Sequence, residues 1–133
     1  MKNIINKLPD TELEIMKILW KTGAPIKAGD IVKRLADTKA WKRQTVHALL
    51  SRLETKGFVS ADRSGYFHMF FPIITEEEYL AAASSTLVSK TGGGIHSLLA
   101  SLINENAISD DEILSITKML QDKCAEIEKK RVK

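Results

Sequence analysis

Apolar residues recur at three- and four-residue spacing early in the chain. Leu13, Met16, Leu19 and Trp20 predict an amphipathic helix over residues 11–21, with Asp10 placed to cap it. Thr22-Gly23-Ala24-Pro25 breaks the pattern, because Pro25 cannot continue a helix. A shorter helical pattern follows with Ile31, Val32 and Leu35. A third begins near Lys42, sets Val46, Leu49, Leu50 and Leu53 on one face, and stops at Lys56-Gly57. The period then changes. Phe58-Val59-Ser60-Ala61 predicts a strand, Asp62-Arg63-Ser64-Gly65 a turn, and the aromatic-rich run from Tyr66 to Phe71 a second strand that Pro72 ends.

Beyond the hairpin the helical period returns. Thr75-Glu76-Glu77-Glu78 has the form of a capping box, in which threonine and glutamate satisfy each other's backbone N–H groups. The helix it opens fails at Gly92-Gly93-Gly94. A fifth helix carries Ile95, Leu98, Leu99, Leu102 and Ile103 on one stripe. Ser109-Asp110-Asp111-Glu112 caps a last one, with Ile113, Ile116, Leu120 and Ile127, that frays into Lys129-Lys130-Arg131.

The predicted fold is therefore mostly α with a small β-hairpin wing. Residues 1–73 form a winged helix-turn-helix, and residues 74–133 a helical region. About sixty residues in three short helices bury too little apolar surface to stand alone. A second copy of the chain is the simplest partner. The apolar positions Ile95, Leu98, Leu99, Leu102, Ile103, Ile113, Ile116 and Leu120 are the expected dimerisation surface.

Charge sharpens this division. The net charge of +3 over 133 residues separates into 13 Lys and Arg against 7 Asp and Glu in residues 1–73, and 7 against 10 in residues 74–133. Only the first part is suited to meet a polyanion. A lone cysteine, Cys124, excludes an intrachain disulfide and a paired-thiolate zinc site, and reads as a small packing residue. No stretch is long and apolar enough to span a bilayer, and Met1 to Lys7 lacks the apolar core of a signal peptide, so a cytoplasmic protein is expected.

The third helix holds the best candidate site. With its apolar face inward, Gln44, Ala48, Ser51 and Thr55 turn outward, flanked by Thr45, His47 and Arg52, and no acidic residue joins them. Such groups can reach base edges in a major groove, while cations meet phosphates; a merely solvated face is the plain alternative. Lys42 and Arg43 sit where the helix dipole disfavours cations, a conflict that a docked phosphate relieves. Arg63 at the hairpin tip can touch the DNA backbone or the minor groove, or simply keep the tip polar. Trp41 reads as a packing residue ahead of the helix, with stacking on a base as the alternative, and His68 as a surface histidine. No nucleophile, base and orienting group can be assembled, so an enzyme is not expected and no cofactor or metal is called for. A winged-helix adaptor that binds protein instead of DNA is the alternative of another class.

The stretches Leu13-Glu14-Ile15-Met16-Lys17-Ile18-Leu19-Trp20, Trp41 to Leu53 and Lys56-Gly57-Phe58-Val59 resemble the BlaI/MecI family of penicillinase and methicillin-resistance repressors. The likeness continues through Tyr66 and Phe67 to Ser97-Leu98 and Asp111-Glu112-Ile113. It implies a homodimeric repressor that binds an inverted-repeat operator, with genes of β-lactam resistance or cell-wall stress as its targets. It also implies that Thr45 contacts the operator and that Arg52 is the recurrent late arginine of the reading helix. His47 departs from the arginine of the best-known members. The resemblance further implies a membrane metalloprotease sensor as a partner, and aligns Ser101-Leu102 with the cleaved bond, although the family's asparagine is absent there. The paired Cys-x-Cys motifs of the copper-responsive relatives are absent too.

Overall fold

A computed structural model describes residues 5–132, so Met1–Ile4 of the N-terminal segment considered above, and Lys133, lie outside it. Eight elements follow in order: α1 (Asp10–Thr22), α2 (Ala28–Leu35), α3 (Arg43–Thr55), β1 (Val59–Asp62), β2 (Met69–Pro72), α4 (Glu76–Ser89), α5 (Gly94–Asn104) and α6 (Asp110–Val132). They divide into two compact units, one ending at Thr86 and the other beginning at Leu87.

The core of the first unit is built by the three predicted helix faces. Ile15, Met16 and Leu19 of α1, Ile31 and Leu35 of α2, and Val46, Leu49, Leu50 and Leu53 of α3 are buried together with Phe58, Val59 and Phe70. Trp41 is half-buried and packs against this cluster, as expected of a residue that seats the start of α3. Gly57, at φ 84°, takes the left-handed conformation that lets the chain leave α3 and enter β1 directly. The strands pair antiparallel with Val59 opposite Pro72 and Asp62 opposite Met69. A single extra bridge joins Ile26 to Phe70, with N–H to carbonyl distances of 2.9 and 2.8 Å, and anchors the segment before α2 to the wing.

Two further links fix the unit. Glu12, 2 % exposed on α1, accepts from Lys56 Nζ at 2.5 Å across 44 residues of sequence, joining α1 to the end of α3. Tyr79 of α4 is buried, lies 5.8 Å from the Trp20 ring and 5.9 Å from Phe58, and its hydroxyl accepts from the Leu8 N–H at 2.9 Å. The Thr75 capping box forms as predicted, with Glu78 N–H on Thr75 Oγ1 and Thr75 N–H on Glu78 Oε1.

Four expectations need correction. Asp10 is the first helical residue and makes no side-chain cap; Pro9 occupies the cap, and Asp10 and Glu12 instead supply negative charge to the first turn. The second strand starts only at Met69, because Tyr66, Phe67 and His68 extend the wing loop unpaired. The last helix runs on through Lys129-Lys130-Arg131 to Val132, where three cations suit its C-terminus. Cys124 is exposed on α6 rather than packed.

In the second unit α5 ends in a Schellman turn. Asn106 adopts φ 56°, its N–H bonds Ile103 O at 3.1 Å, and Ala107 N–H closes on Leu102 O at 2.9 Å. Ser109 Oγ then caps α6 by accepting from Glu112 N–H at 3.2 Å. No helix among the described residues is long and apolar enough to cross a membrane.

Candidate nucleic-acid interface

The burial of α3 settles which way its faces point. Val46, Leu49, Leu50 and Leu53 are inside, while Gln44, Thr45, His47, Ala48, Ser51, Arg52 and Thr55 are all exposed. Lys42 is the N-cap, with extended backbone and no side-chain cap bond, and Arg43 is the first helical residue; no carboxylate lies in the first turn. The start of α3 thus combines free backbone N–H groups with two exposed cations and no carboxylate, a composition that suits an anion. Arg52 stands on the last turn.

Arg63 is placed differently from the other candidates. Its guanidinium makes a bidentate pair with Glu54, at 2.8 and 3.0 Å, that ties the wing to the end of α3. The Arg63 hydrogen bond holds the Glu54 carboxyl below the usual range, and the Arg63 pKa is raised in return. The tip itself is shaped by Asp62, whose Oδ1 accepts from Ser64 Oγ at 2.6 Å and from Ser64 N–H at 3.0 Å, which also lowers the Asp62 pKa.

Beside α3 the structure brings together residues that sequence reading did not join. A cleft of about 250 Å³ opens between the start of α2, the first turns of α3 and the wing, and its polar lining comes from Lys27, Arg43, His47 and His68. Tyr66, 93 % exposed, stands edge-on to Phe67 at 4.7 Å. The aromatic richness of residues 66–71 is the sequence signal nearest to this cleft, and strand propensity accounts for the same residues.

The penicillinase repressor family profile matches residues 8–122. The chain belongs to this family. Among relatives it is similar to the penicillinase repressor of Bacillus licheniformis, 27 % identical over 119 residues that cover 89 % of this chain and 92 % of the relative. It is also similar to the methicillin resistance regulatory protein MecI of Staphylococcus aureus (strain N315), 25 % identical over 92 % of this chain and the whole of that protein. Among solved structures, the DNA binding domain of the repressor BlaI superposes with a TM-score of 0.50 at 34 % identity, covering 59 % of this chain and 94 % of that domain. The family is one of repressors, not enzymes, and the BlaI/MecI resemblance, the helical class and the hairpin wing all hold.

The second unit has a different character. None of its described residues is buried. Ile95, Leu102, Ile103 and Leu120 are exposed together with Leu87, Leu114, Met119 and Ile127, while Leu98, Leu99, Ile113 and Ile116 are half-covered. Ser101 and Leu102 lie in the C-terminal half of α5, with the Ser101 carbonyl accepting from Glu105 N–H at 3.0 Å and the Leu102 carbonyl held in the Schellman turn.

Proposed function

We propose that this repressor acts in the cytoplasm as a homodimer on an inverted-repeat operator in double-stranded DNA. Residues 1–73 serve as the DNA-binding domain and residues 74–133 as the pairing domain, although the first turns of α4 pack with the former through Tyr79 and the compact unit runs on to Thr86. The observation that carries the reading is the exposed, acid-free face of α3 on a rigidly packed helix. That face enters the major groove; Gln44, Thr45, His47, Ala48 and Ser51 meet base edges, and Lys42, Arg43 and Arg52 meet phosphates. Arg63 adds a weaker contact, because Glu54 already neutralises it. The exposed apolar stripes of α5 and α6 support pairing with a second copy, since such surface is rarely left open to water.

Genes of β-lactam resistance or cell-wall stress are the proposed targets. Two routes to derepression remain open on this reading: cleavage at or near Ser101-Leu102, directed by a membrane metalloprotease sensor, and a bound effector. Fluorescence binding to the chain's own promoter duplex over a salt series tests the core of the reading. A steep fall of log affinity with log salt, and preference over scrambled DNA, are expected. No shift of any duplex at physiological salt sinks it and leaves the adaptor reading. His47→Ala should relax discrimination at one base position, whereas loss of a phosphate contact should weaken all sequences alike.

A further inference from the structure

The cleft between α2, α3 and the wing holds two cations in a defined arrangement. Lys27 Nζ lies 4.2 Å from the centroid of the Phe67 ring, a cation–π contact that fixes an otherwise flexible ammonium. Arg43 reaches across to Gly29: a Cβ added there would lie 2.9 Å from Arg43 Nη2. A side chain at position 29 would push the flexible end of that guanidinium away from its place beside α2. His47, edge-on to Phe70 at 6.5 Å, and His68 line the same space. No carboxylate is among the lining residues, and neither Lys27 nor Arg43 has a carboxylate partner among the described residues.

Two like charges gathered in one cleft without an anion repel each other, and the fold nevertheless orients both. We propose that this cleft is a seat for one phosphodiester group of the bound duplex, gripped by Lys27 and Arg43, with Phe67 and Gly29 as positioning residues. The inference rests on the DNA-binding reading and adds to it a contact outside α3. Because the wing supplies Phe67, the wing acts on DNA affinity through Lys27 and not only through its tip.

The test compares the full chain with Lys27→Met, Gly29→Ala, Phe67→Leu and Phe67→Trp on a promoter duplex and on a scrambled duplex, over a salt series. Removing one phosphate contact from each subunit of the dimer should reduce the salt slope by about 2 and weaken both duplexes roughly 30-fold near 0.15 M salt. K27M should show this loss in full, and G29A and F67L in part, while F67W restores the contact because tryptophan offers the stronger ring face. Circular dichroism melting of each variant separates a lost contact from a lost fold. Failure of the wild type to bind any duplex refutes the parent reading. Wild-type binding with an unchanged slope in K27M overturns the seat alone. Inorganic phosphate at millimolar concentration that shifts the Gly29 amide resonance, with DNA binding by K27M unaffected, would assign the cleft to a free anion and also overturn the proposal.

Discussion

Lys56→Met removes the ammonium that answers a buried carboxylate while keeping most of the aliphatic stem. Glu12 is then left 2 % exposed with no cation at its oxygen. Breaking a fully buried pair in this way costs about 3–5 kcal/mol. Here the Lys56 side chain is 41 % exposed, so water reaches the pair from one side and the expected loss falls to about 2–3 kcal/mol. With a urea m-value of about 1–1.5 kcal/mol/M for a unit of this size, the midpoint should drop by roughly 1.3–3 M. Urea unfolding followed by tryptophan fluorescence reads the relevant unit alone, because Trp20 and Trp41 both belong to it. The double variant Glu12→Leu with Lys56→Met should recover much of the loss, since an apolar pair leaves no stranded charge. A K56M midpoint within 0.3 M of wild type would refute the reasoning and show that Glu12 finds water or another donor.

Three other perturbations follow from named contacts. Tyr79→Phe leaves the Leu8 N–H without its acceptor inside the core and should cost about 1–2 kcal/mol in the same fluorescence assay. The Glu54–Arg63 pair holds the folded carboxyl below its unfolded pKa, so its contribution is present above the ordinary carboxylate range and disappears as pH falls through the depressed value. Glu54→Gln should therefore lower the melting temperature only slightly at pH 7, because the pair is exposed to solvent, and the difference from wild type should shrink as the pH falls through the depressed value of the carboxyl. Leu102→Glu places a charge in the proposed pairing stripe; sedimentation should find it monomeric at concentrations where the wild type is dimeric, and equal sedimentation would remove Leu102 from the interface.

The face of α3 was legible because its four apolar residues repeat with helical spacing and meet buried partners. The two capping boxes were legible for the same reason: both partners sit three residues apart. What escaped depends on distant residues. Glu12 reads as a surface carboxylate until Lys56 is placed beside it. Ile26 reads as loop until it bridges Phe70. Tyr66 and Phe67 favour strand by propensity, yet strand needs a partner row, and β1 offers one only as far as Asp62. Of the cleft, Arg43 was visible as a misplaced cation, whereas Lys27 and Gly29 carry no local signal, the aromatic run around Phe67 points to strand, and all three acquire their meaning only when α2 and the wing are folded against α3.

The Schellman turn at the end of α5 bears on how long a molecule of this repressor survives. A protease needs an extended substrate, and the bond between Ser101 and Leu102 is wound into helix, the carbonyl just beyond it closing the turn. Any attack there has to wait for the last turns of α5 to open, so the half-life of the chain would track an opening equilibrium rather than the enzyme's sequence taste. Asn106 sets that equilibrium from four residues beyond the bond, because the turn requires its left-handed backbone. Glycine in its place would make the chain more durable, and a β-branched residue would make it shorter-lived, with the peptide bond itself unaltered.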